Sequence, residues 1–160
     1  MEQIKVGSWV IEIDVKRTKE FYKNYHLITE DCGCDYCSNY VLACDTFPKE
    51  IMNIFNLLGI DPRKEGEVYE CLENEDGTHL YGGFYHIVGR IIDGPDLWIP
   101  TEEGEEFSSL GHNAIEIGFN KDLASVPDDF PKPVIQFEFQ MNVPWLLSLR
   151  VLMLKIGWLL

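Results

Sequence analysis

At Glu67 the spacing of apolar residues changes from helical to alternating, and this switch limits the chain to a small set of folds. Upstream, "PKEIMNIFNLLG" puts Ile51, Ile54, Phe55 and Leu58 on one helical face. Pro48 suits the first turn of that helix and Gly59 is placed to end it. Downstream, "EVYECLE" and "HLYGGFYHIVGRII" alternate as strands do, and Asp76-Gly77 between them signals a hairpin turn. Gly82-Gly83 marks a bulge or a close backbone approach within the second of these strands. "NAIEIGF" and "PVIQFEFQ" supply two further strands around the turn-rich "SVPDDFPKP".

Ahead of the switch, Ile4 to Val15 reads as an opening strand with Trp9, Ile11 and Ile13 on one side. Asp14 is placed to cap a helix through "KRTKEFYKN", which turns Phe21 and Tyr22 inward. "SNYVLAC" reads as a helix with Tyr40, Val41 and Cys44 on one stripe. The expected fold is therefore α+β, an N-terminal strand and helices packed on a mainly antiparallel β-sheet. At 160 residues, one such domain over 1–145 is expected, followed by an apolar segment, 146–160, read as a docked helix. That segment has no acidic residue, and Arg150 and Lys155 interrupt it, which argues against a membrane span. It also offers a surface to a second copy of the chain.

Charge narrows the partners. With 27 acidic against 13 basic side chains, the net charge of −14 repels phosphate backbones, so nucleic-acid binding is not expected. The same field steers a basic protein towards the chain. Its densest block is Glu102, Glu103, Glu105 and Glu106, close in sequence to Trp98, within a loop expected from Gly94 to His112. An aromatic anchor ringed by carboxylates is a surface for a cationic protein partner. The glutamates lack the ligand order of a calcium loop.

The cysteines carry the other candidate site. "DCGCDYC" places Cys32, Cys34 and Cys37 within one short stretch, and Cys44 follows one helical stripe later. Four thiolates can hold tetrahedral zinc, and His26, His79 or His86 could replace one of them. Asp31 and Asp35 favour a cation there. Against this, C-x-C-x₂-C-x₆-C is not a standard zinc-knuckle spacing, and small half-buried cysteines at a helix start explain the same residues without a metal. Cys34 to Cys37 is also a C-x-x-C before a helix, the arrangement that activates thiols in redox proteins. Asp31 and Asp35 are expected to oppose thiolate formation, and the βαβ context of such proteins is missing. The odd count of five cysteines, with no signal-peptide pattern in "MEQIKVGSWVIEIDVKRTK", points to reduced thiols in the cytoplasm.

"CGCDYCSNY", "FPKEIMNIFNLLGIDPRKEGEVYE", "YGGFYHIVGRI" and the strand ending in "VPW" together resemble a family of small acidic bacterial proteins. That family has a C-x-C-x-x-C-x-N pattern and a YGGFYH-type strand, and no assigned activity. The resemblance runs from Asp31 to Trp145 and implies a chain that ends, in more polar sequence, soon after the Pro-Trp. No Ser-His-Asp order, nucleophile elbow, P-loop or dinucleotide fingerprint occurs. The reading placed first is a non-catalytic protein-interaction module, inhibitor- or immunity-like. The alternative is a zinc- or thiol-dependent protein built on Cys32, Cys34 and Cys37.

Overall fold

A computed structural model describes residues 1–64, 66–107, 110–112 and 115–148. The architecture is α+β, as the change of period requires. Two short strands, β1 (Glu2–Val6) and β2 (Trp9–Ile13), lead into the helices α1 (Val15–Asn24), α2 (Ile28–Asp31), α3 (Asp35–Ala43) and α4 (Lys49–Leu58). Then come β3 (Glu67–Glu73), β4 (Thr78–Asp93), β5 (Trp98–Thr101), β6 (Gly104–Phe107), β7 (Leu110–His112), β8 (Ile115–Asn120) and β9 (Val134–Pro144). The main sheet runs β1-β2-β4-β9-β8-β7, with β3 paired to β4 beyond the end of β2. Every pairing is antiparallel.

Local chemistry accounts for most boundaries. Asp14 caps α1 by accepting from the Arg17 N–H at 3.0 Å. Gly59 ends α4 at φ 78°, and a side chain there would sit 2.8 Å from the Val15 carbonyl. The hairpin between β3 and β4 turns at Asp76-Gly77, where Asp76 accepts from the Thr78 N–H. Gly82 and Gly83 are places of close approach: the Tyr69 ring covers the first, and the Glu67 carbonyl and Phe139 crowd the second. The irregularity in this pair lies between Glu70 and Leu72 instead, at the level of Cys71.

The structure departs from the sequence reading at three places. The expected single opening strand is a hairpin, because Gly7 takes φ 56° and lets Val6 pair with Trp9 across a two-residue turn. The acidic stretch after Gly94 is not one loop. It contains β5 and β6, which close on each other around Glu102-Glu103 as a separate two-stranded sheet. Helix α3 begins at Asp35, so Tyr36 and Cys37 belong to its first turn.

The core lies between the helices and one face of the sheet. Tyr81, Tyr85, Ile87, Ile135, Phe137 and Phe139 alternate inward from β4 and β9. They meet Tyr22 of α1, Tyr40 of α3 and Phe55 of α4, all buried. Tyr40 stacks on Phe139 at 6.0 Å, and Phe55 meets Tyr85 edge-on at 5.3 Å. Each of the buried isoleucines and phenylalanines contributes about 1.5–3 kcal/mol through burial. The hydroxyls of Tyr40 and Tyr85 lie 2.6 Å apart, and Tyr85 also donates to the Pro62 carbonyl, so the polar atoms within this aromatic layer are satisfied. Among the described residues no helix is long and apolar enough to cross a membrane. The docked-helix expectation for 146–160 lies outside the described residues from position 149 onward. Leu146, just after β9, packs against the core.

Candidate functional site: a three-thiol cluster at the start of a helix

Helix α2 is a single turn held by Ile28, which is buried, and by Glu30, whose carboxylate accepts from the Leu27 N–H. It stops at Cys32, whose N–H reaches back to the Ile28 carbonyl at 2.9 Å. Gly33 then spans a gap in which an added side chain would touch nothing within 4 Å. Cys34 follows as the N-cap of α3, where serine or aspartate is the more usual residue. Its sulfur accepts from the Cys37 N–H at 3.4 Å, the bond a capping oxygen would make.

This turn brings the thiols of Cys32, Cys34 and Cys37 within 4.8 Å of one another. The sulfurs of Cys32 and Cys34 are 3.3 Å apart. The three differ in access: Cys34 is exposed, Cys32 half-buried and Cys37 buried. They differ in acidity as well. The hydrogen bond from the Cys37 N–H lowers the Cys34 pKa below that of an ordinary thiol, and the bond from Cys32 adds to it. Burial pushes the Cys37 thiol far up. The expected opposition of Asp31 and Asp35 does not prevail at Cys34. Asp31 is paired with His26, and the capping bond acts directly on the sulfur.

Cys44, the fourth thiol considered from sequence, is buried at the end of α3 and is not part of this group. The candidate histidines are engaged elsewhere. His26 pairs with Asp31, and His79 Nδ1 lies 3.0 Å from Glu70 Oε1. His86 is buried, with Nε2 2.9 Å from the Ala124 carbonyl, and burial lowers its pKa.

Sequence reasoning missed the contacts that anchor the first turn of α3. Tyr36, between Cys34 and Cys37, lies 6.4 Å from His79 and 5.7 Å from Trp145, centroid to centroid. The Tyr81 hydroxyl donates to the Tyr36 carbonyl at 2.9 Å and so ties the first turn of α3 to β4. Burial raises the Tyr81 pKa, and the negative charges of Glu70, Cys37 and Cys34 act in the same direction. Asn39, the last residue of the C-x-C-x-x-C-x-N pattern, is fully buried. It donates to the Pro144 carbonyl at 3.0 Å and accepts from the Leu146 N–H at 2.7 Å. The signal for this was the asparagine itself, a polar residue on the inward stripe of a helix.

The acidic site sits elsewhere. Trp98 is half-buried, and its indole N–H donates to Glu138 at 2.9 Å on the neighbouring sheet. Ile99, 45% exposed, faces outward together with Glu102, Glu103 and Glu105. The side chain of Glu106 lies outside the described residues, as does that of His112.

Compared with protein-family models, curated proteins and solved structures, the chain matches none. The functional reading rests on the site.

Proposed function

We propose that the chain is a metal-binding protein that holds zinc through the thiolates of Cys32, Cys34 and Cys37. The observation that carries this reading is the convergence of three sulfurs within 4.8 Å from a stretch of six residues. Thiolates select zinc over magnesium or calcium, which take oxygen ligands. Cys34 is already shifted towards the thiolate form, and a bound cation would overcome the burial that disfavours ionisation of Cys37. Among the described residues Cys44 stands outside the group, so these three thiolates leave one position of a tetrahedral ion for a further donor. The site is thus suited to a zinc ion that meets a ligand rather than one enclosed for structure alone. The resemblance to the C-x-C-x-x-C-x-N family fits, since the motif contains the three donors and Asn39. The test is zinc content: Cys34→Ser should remove most of the metal, and Cys44→Ser should leave it in place.

The interaction reading is supported by a different observation. The β5–β6 hairpin forms a sheet of its own and displays Ile99, Glu102, Glu103 and Glu105 to solvent. Such a surface suits a basic protein partner, and it does not depend on the thiols.

A further inference from the structure

We infer that Cys32 and Cys34 form an oxidisable pair, closed into a disulfide by a peroxide, and that this bridge fastens the corner between α2 and α3. Their sulfurs are 3.3 Å apart, so about 1.3 Å of approach completes a bond of ordinary disulfide length. The only residue between them is Gly33, which has open space around it and the backbone freedom to absorb that movement. Cys32 is the C-cap of α2 and Cys34 the N-cap of α3, so the bridge would join two helix ends without breaking a helical hydrogen bond.

Access sets the order of events. A peroxide reaches exposed Cys34 first, and its sulfur attacks one peroxide oxygen. An S–O bond forms, the O–O bond breaks, and the other oxygen leaves as an alcohol, or as water from hydrogen peroxide, taking the Cys34 proton. The Cys32 sulfur then attacks the Cys34 sulfur. The S–S bond forms, the S–O bond breaks, and hydroxide leaves with the Cys32 proton as water. Two thiols are oxidised by two electrons and one peroxide is reduced. Cys37, buried on the helix side, is left as the unpaired thiol. This chemistry needs no metal. If zinc is held as proposed above, the bridge removes two of its three donors and releases it.

The experiment uses reduced, chelator-stripped full-length protein treated with hydrogen peroxide. Cleavage before aspartate separates residues 31–34, which hold Cys32 and Cys34, from residues 35–44, which hold Cys37 and Cys44. The expected result is the 31–34 fragment lighter by two hydrogens and not linked to any other. Cys32→Ser should stop at a sulfenic acid on Cys34, trapped by dimedone. A 31–34 fragment joined to 35–44, a bridge closed within 35–44, a Cys34 sulfinic acid formed in preference to any bridge, or unchanged thiols would each overturn the inference. Because the protein is stripped beforehand, failure of the zinc reading leaves this result intact. Oxidation of a separately zinc-loaded sample, followed with a zinc indicator, should release metal in step with the bridge.

Discussion

Trp145 lies against His79, ring centroids 4.6 Å apart and planes tilted by 33°, and Asn39 fixes the chain on either side of that tryptophan. The buried amide of a helix that begins in the thiol cluster thereby holds the end of β9. Asn39→Ala would leave the Leu146 N–H and the Pro144 carbonyl without these partners, at about 1–3 kcal/mol. The expected outcome is a lower urea midpoint, with a shift in tryptophan fluorescence as Trp145 leaves His79. An unchanged midpoint would mean that water takes over both bonds.

Thiol reactivity should follow access and acidity together. In metal-stripped protein, iodoacetamide should modify Cys34 first. Cys71 is also exposed, yet partial burial of its sulfur and the charge of Glu70 raise its pKa, so it should follow. Cys37 and Cys44 should react only on unfolding. The pH dependence has a definite sign. A lowered pKa means that Cys34 reaches its thiolate form at lower pH than an ordinary cysteine, so its alkylation rate should rise earlier as pH increases. Peptide mapping over a pH series measures this.

His86 should make stability depend on pH. Burial lowers its folded pKa below the ordinary histidine value of about 6.5, so the unfolded chain binds the proton more readily. The contribution is therefore present in full above about 6.5 and is lost as pH falls through the folded value. Urea midpoints should drop between pH 7.5 and pH 5, and His86→Gln should flatten that dependence. An equally steep profile in the variant would assign the effect to other groups.

The β5–β6 hairpin gives a salt-dependent prediction. If it meets a basic protein, replacing Glu102, Glu103, Glu105 and Glu106 with glutamine should slow association more than it speeds dissociation. Attraction between exposed charges is screened within about 10 Å at 0.1 M salt, so the difference between the two proteins should shrink as salt rises. Trp98→Ala should act differently, by loosening the hairpin from Glu138 and lowering stability. Equal affinity of the glutamine variant at low salt would rule the hairpin out as the binding surface.

Local signals carried much of this fold. The α4 stripe, its Gly59 terminus, the Asp76-Gly77 turn and the alternation of β4 and β9 are each written in neighbouring residues. The β1–β2 turn was hidden because apolar residues continue on both sides of Gly7-Ser8, so two strands read as one. The β5–β6 hairpin was hidden because glutamates dominate a stretch whose pairing depends on backbone geometry. At the site, nearness in sequence was enough to suggest the three thiols. It could not show that Cys44 turns away along α3, that Tyr81 ties down Tyr36, or that Asn39 reaches Pro144, 105 positions further on. Those are properties of packing between distant segments, which periodicity does not encode.

The most direct test of the metal reading is elemental analysis of protein purified without added metal, paired with a count of reactive thiols before and after chelation. The expected result is about one zinc per chain, or the same content after anaerobic addition of zinc, with Cys71 the readily reactive thiol until a chelator releases Cys34 and Cys32. Protein that stays metal-free after zinc is added, with Cys34 reactive throughout, would contradict it.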